Sequence, residues 1–255
     1  NPGGDSINVG WTQTEVNYAI DQAKNFPGTV DELVIGNECI WGPNSAAAIT
    51  QLITYAKTQI AALGLSIKVT TRQEWGVLAG VNNLDPGYAA TRTAIINLLA
   101  ACDGFVYANV YPYFDPNIAS MPGAPTPTES DFKTAVTDSF NTSWDALTAA
   151  FAAQSITTVP RVGEIGWPTS GSQAAQPNAW LATPTYAQWH FEAISAALTA
   201  SGILGFCFEA YDEPWKDTAG GGNSEAHFGI WTANGTSSAP GQYTLSGETQ
   251  KYAPS

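Results

Sequence analysis

Two glutamates stand where a carboxylate can do chemistry. Glu38 closes "VIGNE" and Glu164 lies inside "RVGEIGWPTSG", each at the end of a short apolar run and each leading into a turn. Paired carboxylates suit cleavage of a glycosidic bond, because one protonates the leaving oxygen while the other attacks the anomeric carbon or activates water. Trp41, Trp75, Trp167 and Trp215 also follow apolar runs, and flat indole surfaces pack against the apolar faces of sugar rings. A lone Glu after a strand is usually a cap or a solvated residue, so the weight falls on the pair and its flanking indoles.

The elements that position these residues alternate along the chain. Helical spacing in "TEVNYAIDQAKN" gives way to the strand-like "ELVIGNE", and the order repeats. A helix over about 46–63 stopped by Gly64 precedes "SIKVTT", and "TRTAIINLLAA" precedes "GFVYANVYPYF". Thr126, Pro127 and Glu129 read as the N-cap, first and third positions of a helix running to about Gln154, ahead of "RVGEIGW". Thr183-Pro184 opens a last helix closed by Gly202, followed by "ILGFCFEAYDE".

Apolar strands separated by helices predict a parallel sheet covered by helices. No glycine-rich phosphate loop follows any strand, which weakens an open nucleotide-binding sheet and favours a (β/α)8 TIM barrel. In a barrel the strand ends converge on one mouth, and here they carry Glu38, Arg72, Glu74, Trp75, Tyr111, Tyr113, Glu164 and Glu213. Five strands are legible, or six if "SINVGW" is one, where closure needs eight. The first two or three strands are therefore expected to be missing from this sequence, residues 1–255 forming a single catalytic barrel domain with an incomplete N-terminal part.

Composition narrows the partners. Acidic residues outnumber basic ones 22 to 9, and no two Lys or Arg are adjacent. Nucleic acid and anionic membrane surfaces are poor partners for such a chain, and no run of about 18 apolar residues suggests membrane insertion. The low charge density and the richness in Trp, Tyr, Thr and Asn lean toward a secreted or extracellular monomer. Cys39, Cys102 and Cys207 form no CxxC, their pairing is left open, and no metal site or cofactor is expected. With two histidines and no GxSxG elbow an esterase triad is disfavoured. His190 reads as a packing or surface residue, and His227 lies near the expected mouth.

"VIGNE", "ANVYPYF", "VGEIGWPTSG" and "FCFEAYDEPWKDTAGGGNSEAHFGIW", in that order, resemble the signature segments of glycoside hydrolase family 17, the β-1,3-glucanases and β-1,3-glucanosyltransferases. The resemblance implies a (β/α)8 barrel, a retaining mechanism and a β-1,3-glucan substrate. It implies Glu38 as general acid/base, Glu164 as nucleophile and Asn37 as a hydrogen-bond partner of the sugar hydroxyl beside the reacting carbon. Tyr111 would lie near the nucleophile, Glu213, Lys216 and Glu225 would form a polar cluster beside the site, and Trp41, Trp75 and Trp167 would line it. A retaining pair is expected about 5 to 5.5 Å apart. A transferase using the same site, a non-catalytic glycan-binding barrel and a related barrel cutting β-1,4-glucan or mannan are the competing readings.

Overall fold

A computed structural model describes residues 5–173, 176, 178–217, 222–233 and 248–253. The helices are α1 (Val9–Asn25), α2 (Pro43–Ala62), α3 (Trp75–Ala79), α4 (Ala89–Ala101), α5 (Pro116–Ala119), α6 (Glu129–Ala153) and α7 (Pro184–Ser201). The strands are β1 (Glu32–Asn37), β2 (Lys68–Glu74), β3 (Phe105–Asn109), β4 (Val159–Ile165) and β5 (Gly205–Cys207), hydrogen-bonded in the order β1-β2-β3-β4-β5. The chain divides into two compact units, Asn1–Asn109 with Ser143–Gly163, and Val110–Thr142 with Glu164–Ser255.

In the first unit β1 and β2 pair in parallel from Glu32 opposite Lys68 to Asn37 opposite Arg72, and β2 pairs with β3 in parallel from Arg72 to Glu74. All five residues of β3 are buried, as expected of a strand covered on both faces. The helices follow their apolar spacing: α2 buries Ala46, Ile49, Leu52, Ile53, Ala56 and Ile60, and ends before Gly64, whose φ of +65 suits glycine. Asp5 supplies the start of α2, its carboxylate accepting from the amides of Asn44 (2.8 Å) and Ser45 (2.7 Å).

The alternative of a strand at "SINVGW" is wrong. Asn8 caps α1 by accepting from the Trp11 amide at 3.0 Å, which commits the following residues to helix. The start of α6 also differs, by two residues. Thr128 rather than Thr126 supplies the hydroxyl, accepting from the Asp131 amide (3.2 Å) and donating to the Asp131 carboxylate (2.7 Å), an exchange that Thr126 would make only with a helix beginning earlier. The signals for α7 hold: Thr183 accepts from the Tyr186 amide, Pro184 is the first helical residue, and Gly202 adopts φ +64.

In the second unit, aromatic packing dominates. Tyr113, Ile118, Phe132, Val136, Trp167, Leu181, Tyr186, Phe228 and Tyr252 form one buried cluster. Strand β5 is shorter than its apolar run suggested, and Phe206 is 53% exposed. At the other end of the strand order, Val34 of β1 is 40% exposed.

Candidate active site

The first unit builds the surroundings of Glu38. Pairing of β1 with β2 is irregular between Val34 and Asn37, Gly36 has φ +78, and Glu38 itself has φ +49. A left-handed conformation at a residue other than glycine costs about 1–3 kcal/mol and tends to occur at functional sites. The strain is held by the Glu38 amide donating to the Arg72 carbonyl (3.1 Å) and the Cys39 amide to the buried Gln73 side chain (3.0 Å). The Glu38 carboxylate is exposed and accepts from Asn109 Nδ2 at 2.7 Å. The neighbouring Asn37 Oδ1 accepts from Arg72 Nε (2.8 Å) and Asn109 Nδ2 (3.0 Å).

Glu74 takes the structural role open to any Glu after a strand. Its carboxylate caps α3 by accepting from the Gly76 and Val77 amides, each at 2.9 Å. Trp75 opens that helix and is half-buried, whereas Trp41 is 46% exposed, its amide tied to Ser45 Oγ at 2.9 Å.

The second unit builds the surroundings of Glu164. Its side chain is buried, its carbonyl accepts from the Val110 amide (2.9 Å), and its Oε2 accepts from the Tyr111 hydroxyl at 2.7 Å. The Tyr111 ring is fixed edge-on by Phe208 and Phe228, at 6.2 and 5.8 Å between centroids. A buried carboxyl that accepts a hydrogen bond from a rigid phenol is fixed in direction rather than solvated.

The polar residues after β5 also gather in this unit. Lys216 pairs with Glu213 and stands 4.9 Å from the centre of the Phe208 ring, while Gln173 donates to Glu225 at 2.8 Å. The sequence reading omitted Glu209. Burial, and next the nearby Glu213, push the Glu209 carboxyl up to about 8, with Lys216 opposing the shift. The available signal was two glutamates four residues apart in "FEAYDE".

Lys251 was missed as well. Its ammonium donates to Asp212 Oδ1 (2.5 Å), Thr169 Oγ1 (2.6 Å) and the His227 carbonyl (3.2 Å), tying the last described segment beneath the loop that carries His227. No local pattern marks a lone Lys whose partners are 24 to 82 residues away.

Trp167 requires a correction. It does not wall a sugar site: it is 1% exposed, its indole N–H donates to the Leu181 carbonyl at 2.8 Å, and its ring packs edge-on against Tyr113 and Phe132. The strand ends at Ile165, and the indole two residues on turns into the aromatic core. Trp167→Ala is expected to destabilise the fold by about 3–5 kcal/mol in urea unfolding; unchanged stability with a raised KM would restore the substrate-wall reading. Beside it, His190 is the packing residue foreseen, 3% exposed and 5.3 Å from the Trp167 ring, with burial lowering its pKa to about 3 so that it stays neutral. Gly163 leaves room for Arg72 and Asn109, since a Cβ there would come within 2.8 Å of both.

Among the described residues no group of three His, Cys, Asp or Glu side chains could hold a metal ion, and no helix is long and apolar enough to cross a membrane.

The parallel α/β fold thus carries carboxylates at the ends of β1 and β4. Across 86% of its length the chain matches the crystal structure of an endo-laminarinase from Formosa, with a TM-score of 0.69 at 21% identity, covering 58% of that chain. The chain belongs to the BtgE/BtgC glycoside hydrolase domain family, whose model matches residues 5–229. This agrees with the family 17 resemblance of the four segments. A glucan 1,3-β-glucosidase of Saccharomyces cerevisiae is 25% identical over 243 residues, 91% of this chain and 70% of that protein. A glucan 1,3-β-glucosidase of Candida albicans is 41% identical over 78 residues, 29% of this chain and 24% of that protein.

Proposed function

We propose that the chain is the catalytic part of a retaining glycoside hydrolase acting on β-1,3-glucan, with Glu164 as nucleophile and Glu38 as general acid/base. The observation that carries this reading is the Glu164 carboxylate, buried and held by the Tyr111 hydroxyl at 2.7 Å, at the end of a parallel strand. A nucleophile must be ionised and aimed, and a phenol donor serves both needs. Glu38, exposed and fixed by an amide, suits the opposite task of exchanging protons with the leaving oxygen and then with water.

In this mechanism Glu164 attacks the anomeric carbon while Glu38 protonates the departing oxygen. Glu38 then removes a proton from the incoming water, which releases the sugar from Glu164. Interception of the covalent intermediate by a sugar hydroxyl instead gives glucanosyl transfer. The exposed NH2 of Asn37, and the indoles of Trp41 and Trp75, would contact the glucan. Lys216, Glu213 and Glu225 would supply hydrogen bonds to it. No cofactor or metal is needed for these steps.

The same proposal covers the rest of the molecule. The exposed edges of β1 and β5 would pair with further strands of an eight-stranded barrel, with residues 1–255 contributing one catalytic domain. The protein would work as a secreted or cell-wall monomer. Its glucan-active relatives and the low density of positive charge support that placement.

Incubation with laminarin is expected to release reducing sugar, and β-1,4-glucan and mannan are expected to yield none. Chain lengths followed over time separate hydrolysis, which only shortens, from transfer, which also produces longer oligosaccharides. Binding of laminarin without any cleavage or transfer would favour the glycan-binding reading and overturn the enzyme.

A further inference from the structure

Asn109, the last residue of β3, is 1% exposed and has its amide committed twice, to Glu38 Oε1 at 2.7 Å and to Asn37 Oδ1 at 3.0 Å. The neighbours fix which end of each amide faces which. The atom of Asn109 that faces Glu38 also faces the Asn37 oxygen, which only accepts, so it is the NH2. Arg72 Nε only donates and lies 2.8 Å from the Asn37 side chain, so the atom facing both Arg72 and Asn109 is the Asn37 oxygen. Asn37 thereby uses its acceptor on two protein donors and turns its own NH2 to the exposed side as a donor for a ligand.

The slot for Asn109 is built by its surroundings. Any side chain at Gly163 of β4 would place Cβ within 2.8 Å of Asn109 Oδ1 and of the Arg72 stem, so glycine there keeps β3, β2 and the turn after β1 in one hydrogen-bonded unit. Each of Asn109's two N–H bonds has a separate task, and neither requires contact with substrate.

We infer that Asn109 is a positioning residue for the proton-transfer step: one buried amide sets the direction of the Glu38 carboxylate, while Arg72 Nε holds the Asn37 oxygen, and with it the outward Asn37 donor, independently. The inference rests on Glu38 being the acid/base. Proton donation matters most when the leaving group is a poor one, and misplacing a reacting group by about 1 Å can cost about 100-fold. An aryl leaving group that departs as a stabilised phenolate needs no such proton.

The test compares kcat/KM, which covers steps up to leaving-group departure, for the full-length protein on a laminari-oligosaccharide and on a dinitrophenyl β-laminaribioside. Asn109→Ala is expected to lose about 100-fold on the oligosaccharide and less than about threefold on the aryl glycoside. Asn109→Asp keeps the shape but faces Glu38 with an acceptor, and is expected to show the same selective loss. Poor folding lowers the active fraction for both substrates equally, so the ratio of the two losses reads positioning alone. Glu38→Ala serves as the reference for a selective loss. If it shows selectivity and Asn109→Ala does not, Asn109 is merely structural and the inference fails while the acid/base assignment stands. If Glu38→Ala itself shows no selectivity, the assignment fails and the inference with it.

Discussion

Glu164→Gln is expected to lower kcat/KM on laminarin by about 10⁴- to 10⁶-fold, the range in which removing an enzymatic nucleophile falls. That loss corresponds to about 5–8 kcal/mol of transition-state stabilisation. Glutamine keeps the shape of glutamate, and its carbonyl can still accept from the Tyr111 hydroxyl, so the buried position is filled and the edge-on packing of Tyr111 on Phe208 and Phe228 is retained. Only the negative charge and the attacking oxygen disappear. The loss is therefore expected with every leaving group, activated aryl glycosides included, because no covalent intermediate forms. Near-native thermal unfolding together with collapse of activity separates a chemical role from a structural one. Retention of more than a tenth of the activity would remove Glu164 from the nucleophile's role.

Glu38→Ala is the second large effect, and its pattern differs. General acid/base catalysis contributes about 10²- to 10⁴-fold, and a loss of that size is expected on laminarin. On a dinitrophenyl glycoside the glycosylation step needs no proton, so the loss in kcat/KM is expected to be small. Breakdown of the intermediate still needs a base, so kcat falls and glycosyl-enzyme accumulates. A small anionic nucleophile such as azide, which requires no deprotonation, is expected to restore turnover and give a β-glycosyl azide. Glu38 is exposed, so its replacement leaves no buried cavity. Equal losses on both substrates, without rescue by azide, would exclude it as the acid/base.

Much of this arrangement could be read from the chain because its signals are local. The strand that leads to Glu38 and the strand that carries Glu164 near its end are short runs, and α7 announces itself through Thr183, Pro184 and Gly202, residues whose backbone preferences act at a single position. Long-range features left weaker traces. An indole after a strand looks the same whether it faces a sugar or the core, and only the packing of Tyr113, Phe132 and Leu181 around Trp167 decides. The start of α6 was misplaced because Thr126 and Thr128 carry the same hydroxyl, and the reply of Asp131 selects the second.

The polar residues missed from sequence share one cause. Lys251 draws its meaning from Asp212 and Thr169, and Glu209 from burial and from Glu213 and Lys216. Such environments come from tertiary structure, which periodicity does not encode. Asn109 lay inside a recognised segment, "ANVYPYF", yet its link to Asn37 and Glu38 spans more than 70 residues and appears only when β1, β2 and β3 are aligned.

Trapping the intermediate tests the central claim most directly. A 2-deoxy-2-fluoro β-laminaribiosyl fluoride forms the glycosyl-enzyme readily and releases it slowly, because fluorine at C2 destabilises the oxocarbenium-like transition state and the fluoride leaving group offsets this only in the first step. Mass spectrometry of the digested protein is predicted to find one added disaccharide per molecule, on the tryptic peptide that begins at Val162, with fragmentation placing it on Glu164. Label on Glu38, or inactivation with no covalent adduct on either glutamate, would contradict the account.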